Sequence, residues 1–184
     1  MGVPREPAPV KGIVGLLATS DAILAEVREV LAGCVAPLEL VSDAVPWCES
    51  RYYAEEMGSD LRRQYLAFEG TMCAANLVAL KQETNALEAR WQSGRGRRAN
   101  IDPGYLDLTK VVLASTKDAA HRVYLGDGIY AEATLRYVGG SFAPWPYTYP
   151  DYAQAETCVF FNQVRARYLA TRRGAGRDRD RPAR

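Results

Sequence analysis

The segment "STKDAAHRVYLGDGIYAEATLRY" (Ser115–Tyr137) contains the strongest structural signal in the chain, a β-hairpin centred on "GDG". Strand-like runs flank Gly126-Asp127-Gly128, and tight hairpin turns need the left-handed backbone that glycine and aspartate tolerate. The segment also contains His121, the single histidine of the sequence. A signal for the fold and a candidate site therefore coincide in this one segment.

Two registers are open to this hairpin. A two-residue loop at Asp127-Gly128 would place Val123 opposite Glu132, whereas a three-residue loop would place Arg122 opposite Glu132. Directly opposed residues share a face of the sheet, so each register sorts the side chains differently. We prefer the second, because it alone separates polar from apolar side chains. Its polar face consists of Arg122, Tyr124, Tyr130, Glu132, Thr134 and Arg136.

This polar face has two interpretations. In one, Arg122 and Arg136 flank Glu132 as a solvent-facing ladder of charge pairs. In the other they form a preset anion site, because two guanidinium groups offer more donors than one carboxylate accepts. Tyr130 would then contribute a hydroxyl donor and a flat wall.

Acid–base chemistry at the hairpin would involve its titratable groups. His121 falls on the apolar side of the preferred register, where it is either a hydrogen-bonded core residue or a general acid or base oriented by Asp118. Lys117 and Glu132 are the other candidates. The catalytic set predicted from the sequence is therefore His121, Lys117, Glu132 and Asp118.

Cofactor motifs are absent from the sequence. There is no G-x-x-x-x-G-K-[ST] to hold nucleotide phosphates and no G-x-G-x-x-G of a dinucleotide site, so we expect no organic cofactor. A divalent metal ion stays open as an alternative, because mixed oxygen and nitrogen ligands suit Mg²⁺, Mn²⁺ or Fe²⁺. Its ligands would be Asp102, Asp118, Glu132 and His121.

The rest of the chain predicts an α+β fold. A buried strand at "GIVGLLA" precedes a helix that Ser20 or Asp21 caps and Gly33 ends; strands follow at "PLELV" and "LRRQYLAFE", then a helix and a strand at "ANI". This βαββαβ order is the ferredoxin-like split arrangement. A turn at "DPGY", a strand at "KVVLAS", the hairpin and a C-terminal helix extend it. The predicted organisation is a flexible N-terminus (1–9), a single domain (10–170) and a disordered arginine-rich tail (171–184).

Composition limits the classes of function. The 184 residues are 48% hydrophobic, typical of one globular domain, and no apolar run reaches the roughly 20 residues that span a bilayer. Without such a run we expect no membrane partner. Four well-separated cysteines and no export signal favour free thiols in the cytoplasm. The net charge of +1 conceals an uneven distribution: without residues 172–184 the chain has 17 basic and 20 acidic side chains. The slight excess of acidic side chains in residues 1–171 argues against a large nucleic-acid-binding surface.

Long motifs resemble a known family. The stretches "VKGIVGLLATS", "YYAEEMG", "RRANIDPGYL", "KVVLASTKDAAHRVYLGDGIYAEATLRY" and "YTYPDY" closely resemble the bacterial family of domain of unknown function 4416, over about residues 10 to 170. The resemblance implies that a site lies among the positions matching these motifs. Those positions are Tyr52, Tyr53, Glu56, Asn100, Asp102, Tyr105, Lys117, Asp118, His121, Arg122, Tyr130, Glu132 and Arg136.

These observations predict a small cytoplasmic enzyme of isomerase, lyase or cyclase type that acts on an anionic small molecule. Arg122 and Arg136 would bind the anion. The remaining ligand-binding candidates are Tyr130, Tyr105, Asn100, Asp102, Tyr52 and Tyr53. The alternative is a nucleotide- or RNA-binding accessory protein that stacks bases on the tyrosines, with charge supplied by "RGRR" and the tail. A third alternative is a partner protein whose polar hairpin face is a subunit interface. Fold analogy does not decide among them.

Overall fold

The computed structural model describes residues 2–47, 56–58, 60–94 and 96–179, with side chains up to residue 173. Its helices are α1 (Asp21–Cys34), α2 (Leu77–Glu88) and α3 (Ala155–Arg179). The main sheet contains β1 (Lys11–Ala18), β2 (Leu38–Val41), β3 (Val45–Trp47), β4 (Leu61–Phe68), β7 (Ala99–Leu106), β8 (Lys110–Ser115), β9 (Val123–Gly126), β10 (Ile129–Val138) and β11 (Ser141–Pro144). A two-stranded sheet contains β5 (Gln92–Ser93) and β6 (Gly96–Arg97).

The main sheet has the strand order β11-β10-β8-β7-β1-β4-β2, with β3 also paired to β4 and β9 to β10. Every pairing within it is antiparallel. Strand β4 lies between β1 and β2, and β1 lies between β4 and β7, so the two βαβ units of the chain interleave. The α+β class predicted from the sequence is confirmed.

Helices cover both faces of the sheet. Ser20 caps the start of helix α1, because its side chain accepts a hydrogen bond from the backbone N–H of Ile23. It buries Leu24, Val27 and Leu31 against one face, which we call the α1 face; the apolar side chains of α2 pack against the same side. The opposite face, the α3 face, carries Tyr65 and Leu113 against Phe161 and Tyr168 of α3. Apolar burial on both sides explains why the central strand β1 is buried along its whole length.

The hairpin combines features of both registers. Asp127 and Gly128 have φ values of 51° and 75°, and Gly126 pairs with Ile129 around them, so the loop has two residues. A shift of register follows at once, and Tyr124 then pairs with Tyr130. The ladder beyond this bulge is therefore the one preferred from the sequence, although the loop is the shorter one.

A second bulge places Arg136 on the other face from Glu132. Glu132 pairs with Leu113 and Leu135 pairs with Val111, so these residues share the α3 face, and the extra residue between them is Thr134. Arg136 pairs with Lys110 on the opposite face. The prediction that Arg136 flanks Glu132 is wrong, because a bulge inserts one residue and inverts the alternation beyond it.

The "DPGY" segment is strand, not turn. It lies inside β7, and Pro103 pairs with Val14 of β1. Strand β8 pairs with β7 only from Gly104 to Leu106, so Pro103, which has no N–H to donate, lies just where this ladder stops. Strand β1 satisfies residues 99–103 from the other side. The first half of β7 therefore has an open edge where β8 diverges from it.

Other segments also differ from expectation. Strands β3 and β11 lie where the sequence predicts connecting segments. Each strand is short and contains proline, so its sequence does not indicate a strand. Helix α3 continues to Arg179, so the backbone of residues 171–179 is helical where the sequence predicts a disordered tail. Thr171, Arg172 and Arg173 are exposed and directly follow the packed part of α3, and a helix that is already formed can continue its hydrogen-bond pattern into such residues. None of the helices in the described residues is both apolar and long enough to cross a membrane.

Candidate functional site

A cavity of about 200 Å³ opens where β7 and β8 diverge. Its wall combines the open edge of β7, the end of β8, the hairpin and the 149–152 segment that leads into α3. The lining residues are Trp47, Arg63, Lys81, Asn85, Arg97, Asn100, Asp102, Leu113, Ala114, Ser115, Thr116, Lys117, Arg122, Glu132, Tyr149, Pro150, Asp151 and Tyr152. Five of them are basic and three are carboxylates.

Two side chains of α2 satisfy the open edge of β7. Glu88 accepts a hydrogen bond from the backbone N–H of Ile101 at 2.7 Å, and Lys81 donates to the Ile101 carbonyl at 3.1 Å. Backbone groups of a buried strand need partners, and these side chains replace those that β8 would have supplied. The cleft is therefore a stable opening in the sheet. Lys81 also lies 3.4 Å from Oδ1 of Asp102, whose Oδ2 accepts a hydrogen bond from Asn100 at 2.6 Å.

Arg97 is held by two carboxylates at the border of the cavity. It donates to Glu88 at 2.8 Å and lies 2.9 Å from Glu56. Burial raises the pKa of Glu88 above its ordinary value, although the N–H of Ile101 and the charges of Lys81 and Arg97 act in the opposite direction. Arg97 therefore belongs to a structural network as well as to the cavity wall.

Glu132 is the buried carboxylate of the hairpin. It is 3% exposed, and its Oε2 accepts a hydrogen bond from Nε of Arg122 at 2.8 Å and lies 3.2 Å from Nε2 of His121. Its Oε1 accepts a hydrogen bond from Thr134. The ring of His121 stacks on Tyr147 with centroids 4.4 Å apart. His121 is thus oriented by Glu132 and Tyr147, and the prediction that Asp118 orients it is not supported by any contact in the described residues.

Arg122 uses its guanidinium to join the hairpin to the segment before α3. Besides Glu132, it donates to the carbonyl of Lys117 at 2.8 Å and to the hydroxyl of Tyr149. Burial would lower the pKa of Arg122, but the hydrogen bonds and charges of Glu132 and Tyr149 together outweigh it and the pKa rises. Burial and the charge of Glu132 raise the pKa of Tyr149. With all three nitrogens engaged, Arg122 organises the wall.

Arg63 lies at the β4 end of the cavity. It is 5% exposed, and its Nη2 forms an ion pair with Oδ2 of Asp151 at 2.6 Å. Burial would lower the pKa of Arg63, but the charge of Asp151 and the neighbouring groups raise it, so the guanidinium is charged. Burial raises the pKa of Tyr65 and Tyr152, which pack beside it and remain neutral phenols.

The structure divides the predicted site residues into three groups. Asn100, Asp102, Lys117, Arg122 and Glu132 line the cavity. Of the other described candidates, His121 reaches it through Glu132. The remaining five lie elsewhere: Glu56 pairs with Arg97, Asp118 is exposed, Tyr105 packs against α2 on the α1 face, Tyr130 packs edge-to-face on Tyr124, and Arg136 lies over the ring of Trp145. Tyr52 and Tyr53 lie outside the described residues.

Sequence reasoning missed four prominent residues of the wall: Arg63, Lys81, Tyr149 and Asp151. Lys81 could have been found, because it falls four residues after Leu77 and in phase with Thr84 and Glu88; in the structure it is 5% exposed. Buried polar side chains on a helix stripe indicate partners in the interior. Arg63 carried no comparable signal, because it alternates normally within its strand.

The predicted metal ligands do not come together. Glu132 and His121 meet, but Asp102 lies with Lys81 and Asn100, and Asp118 is exposed. Within the described part of the chain, no three His, Cys, Asp or Glu side chains form a group that could hold a metal ion.

A protein-family model described as "Domain of unknown function (DUF4416)" matches residues 8–168. The matched segment contains all strands of the main sheet and every residue that lines the cavity. No curated protein matches the chain, and no solved structure does.

Proposed function

The chain belongs to the DUF4416 family, and from this premise we propose that it is a small cytoplasmic enzyme that performs acid–base chemistry on an anionic small molecule. The reaction type is isomerisation, elimination or cyclisation, which needs positioned proton donors and acceptors and no organic cofactor. The site is the cavity between β7 and β8. One observation carries the proposal: Arg122 and His121 contact the same oxygen of the buried Glu132 in its wall.

Glu132 is the proton-transferring group in this proposal. It lines the cavity and is held in place by Arg122, so its carboxylate is positioned to accept a proton from a bound ligand. His121 contacts the same oxygen and is itself partly exposed, with 28% of its side chain accessible. A proton taken from the ligand can therefore pass from Glu132 through His121 to water.

The remaining wall supports ligand binding. Asn100 and Asp102 offer hydrogen-bonding groups, Lys117 and Lys81 offer positive charge, and Tyr149 and Tyr152 provide flat sides. At about 200 Å³ the cavity is smaller than the roughly 300–1,000 Å³ of drug-sized ligand pockets, which favours a small metabolite over a whole nucleotide. In this proposal Arg122 positions Glu132, and Arg136 has no role.

Proton exchange in D₂O tests the proposal without knowledge of the product. Small 2-oxo, 2-hydroxy and unsaturated acids are incubated with the protein, and ¹H NMR follows loss of their C–H signals. We expect exchange or conversion of at least one acid, and Glu132→Gln to slow it about a hundredfold or more. Glu29→Gln, which changes an exposed carboxylate of α1, is the control. Acids that bind without any exchange or conversion would refute the proposed chemistry.

RNA binding is the second candidate, because Tyr124 of the hairpin and Tyr149 of the cavity wall are exposed, at 59% and 44%. Fluorescence anisotropy of a labelled single-stranded RNA, titrated with the full chain over a series of salt concentrations, separates the two. Our proposal predicts no RNA binding at about 0.15 M salt, where exposed charges are screened within about 8 Å. RNA binding at this salt concentration that is lost in Tyr124→Ala would refute the enzyme proposal and favour RNA binding as the function.

A further inference from the structure

The cavity contains one buried cation that its surroundings leave under-satisfied. Of the three nitrogens of Arg63, Nη2 pairs with Asp151, whereas Nε and Nη1 are buried and have no hydrogen-bond partner among the described residues. A guanidinium carries five N–H donors, and buried donors without acceptors cost free energy. Acceptor oxygens of a ligand at this end of the cavity would remove that cost.

Arg63 is also held in a fixed orientation. Its guanidinium carbon lies 5.9 Å from the ring centroid of Trp47 and 5.8 Å from those of Tyr65 and Tyr152. Aromatic rings around a guanidinium restrict its plane and favour its positive charge. Little conformational entropy is then lost when an anion binds, so the donors are organised in advance.

Lys81 supplies a second buried charge to the same cavity. Its ammonium donates to the Ile101 carbonyl, and its distance to Asp102, 3.4 Å, is long for a charged pair. An ammonium has three donors, so it can turn one toward a ligand without leaving Ile101. Arg63 and Lys81 come from opposite sides of the sheet, and both line the cavity.

We propose that Arg63 and Lys81 bind the carboxylate of a small monoanionic organic acid, an inference that rests on the cavity being the site of the proposed function. Three carboxylates, those of Asp102, Glu132 and Asp151, line the same cavity. They repel a doubly charged phosphate more strongly than a singly charged carboxylate, because Coulomb energy scales with charge. Leu113 and the rings of the wall then contact a short carbon chain, whose reacting atoms lie toward Glu132.

Equilibrium binding tests this assignment independently of turnover. Acetate, propionate, butyrate and 2-oxobutyrate are titrated into the full chain at constant ionic strength, with inorganic phosphate in parallel; thermal unfolding and ligand NMR give the Kd values. We expect at least one acid to bind more tightly than phosphate. Arg63→Lys and Lys81→Gln should weaken it about tenfold or more, since each removes charge-assisted hydrogen bonds.

The matched control is Arg62→Lys. Arg62 is the neighbouring residue on β4, and it pairs with Asp21 outside the cavity. Its substitution should leave the Kd unchanged. If Arg63→Lys does not fold, two other measurements test the assignment. One is the Kd of Lys81→Gln, and the other is the ¹⁵N resonance of Arg63 Nε in the parent, which must shift as the acid binds.

Three results would overturn the assignment: no acid binds, phosphate binds more tightly than every acid, or a folded Arg63→Lys keeps the parent's affinity. An Nε resonance of Arg63 that stays fixed while an acid binds would do the same. Binding through Arg63 without proton exchange would refute the proposed chemistry and keep the anion site. Exchange that survives in Arg63→Lys at unchanged affinity would refute the anion site and keep the chemistry.

Discussion

Nε of Arg122 lies 2.8 Å from Oε2 of Glu132, and the two side chains are 6% and 1% exposed. The pair joins the β9 side of the hairpin to β10. It also fixes where the carboxylate meets the cavity, because Arg122 is bonded in turn to Lys117 and Tyr149. The ion pair is therefore both a structural link and the device that keeps a charged carboxylate in a buried wall.

Arg122→Ala should lower the free energy of unfolding by about 3 kcal/mol at neutral pH, because removing one member of a buried pair leaves the charge of Glu132 uncompensated. Glu132→Gln in the same background should recover part of that loss, since a neutral amide is cheaper to bury. Urea unfolding of the parent, both single variants and the double variant measures the coupling. Additive effects would show that the two side chains do not interact energetically.

The pairing of Arg122 with Glu132 could be predicted from the sequence, because both residues belong to one hairpin. Arg122 and Glu132 are ten residues apart in one hairpin, and sorting polar from apolar side chains was enough to pair them. The same reasoning failed for Arg136, four residues beyond Glu132. A bulge at Thr134 depends on the ladder with β8, which the hairpin sequence does not encode.

The cavity itself could not be predicted from the sequence, because segments that are far apart in the chain form it. Arg63, Lys81 and Asp151 belong to a strand, a helix on one face and a segment leading to a helix on the other. Pro103 also misled, since proline beside glycine normally marks a turn. Here β1 alone holds that part of β7, and the side chains of α2 replace β8.

Glu88 should make stability fall as pH rises through the weakly acidic range. Its pKa is raised in the folded state, chiefly by burial, so the folded protein holds the proton more tightly than the unfolded chain. That contribution is complete below the ordinary pKa near 4.5 and is lost as pH rises through the folded value. A tenfold difference in proton affinity between the folded and unfolded states corresponds to about 1.4 kcal/mol of stability.

Urea unfolding at several pH values, for the parent and Glu88→Gln, measures this contribution. Glutamine keeps an oxygen for the N–H of Ile101 and does not titrate. The parent's stability relative to the variant should decline across the window above pH 4.5. A constant difference there would show that the carboxyl group is not perturbed by burial.

Asp107 should have the opposite effect. It closes the β7–β8 turn, where Oδ1 accepts from the backbones of Thr109 and Lys110 at 2.6 and 2.9 Å. Burial would raise the pKa of Asp107, but the hydrogen bonds from Lys110 and Thr109 outweigh it and lower the pKa. Its stabilising contribution is therefore present above the ordinary pKa of 3.8 and is lost as pH falls through the folded value.

Asp107→Asn tests this acid limb, because an amide oxygen still accepts from Thr109 but carries no charge for Lys110. The variant should be less stable than the parent at pH 6 by about 1 kcal/mol. The two curves should converge as the pH approaches 2. Urea unfolding of both proteins between pH 2 and pH 6 measures this difference. Curves of stability against pH that stay parallel would contradict a lowered pKa of Asp107.

Gly15 leaves room for the hydroxyl of Tyr152 on the α3 face. A Cβ at this position would lie 2.0 Å from the hydroxyl oxygen and 3.1 Å from Cζ, so either the ring or the strand must move. Gly15→Ala should therefore destabilise the protein by about 2–3 kcal/mol, as overpacked cores do. Tyr152→Phe alone should cost little, since its hydroxyl has no hydrogen-bond partner among the described residues.

The double variant Gly15→Ala/Tyr152→Phe should recover about 1 kcal/mol, since the closest clash is gone while the contact with Cζ remains tight. Gly33→Ala is the control: nothing lies within 4 Å of its Cβ position, and alanine in α1 should stabilise by roughly 0.5–1 kcal/mol. Urea unfolding of the five proteins at neutral pH gives these values. If Tyr152→Phe gave no rescue, the cost of Gly15→Ala would come from the strand backbone and not from the ring that forms one side of the cavity.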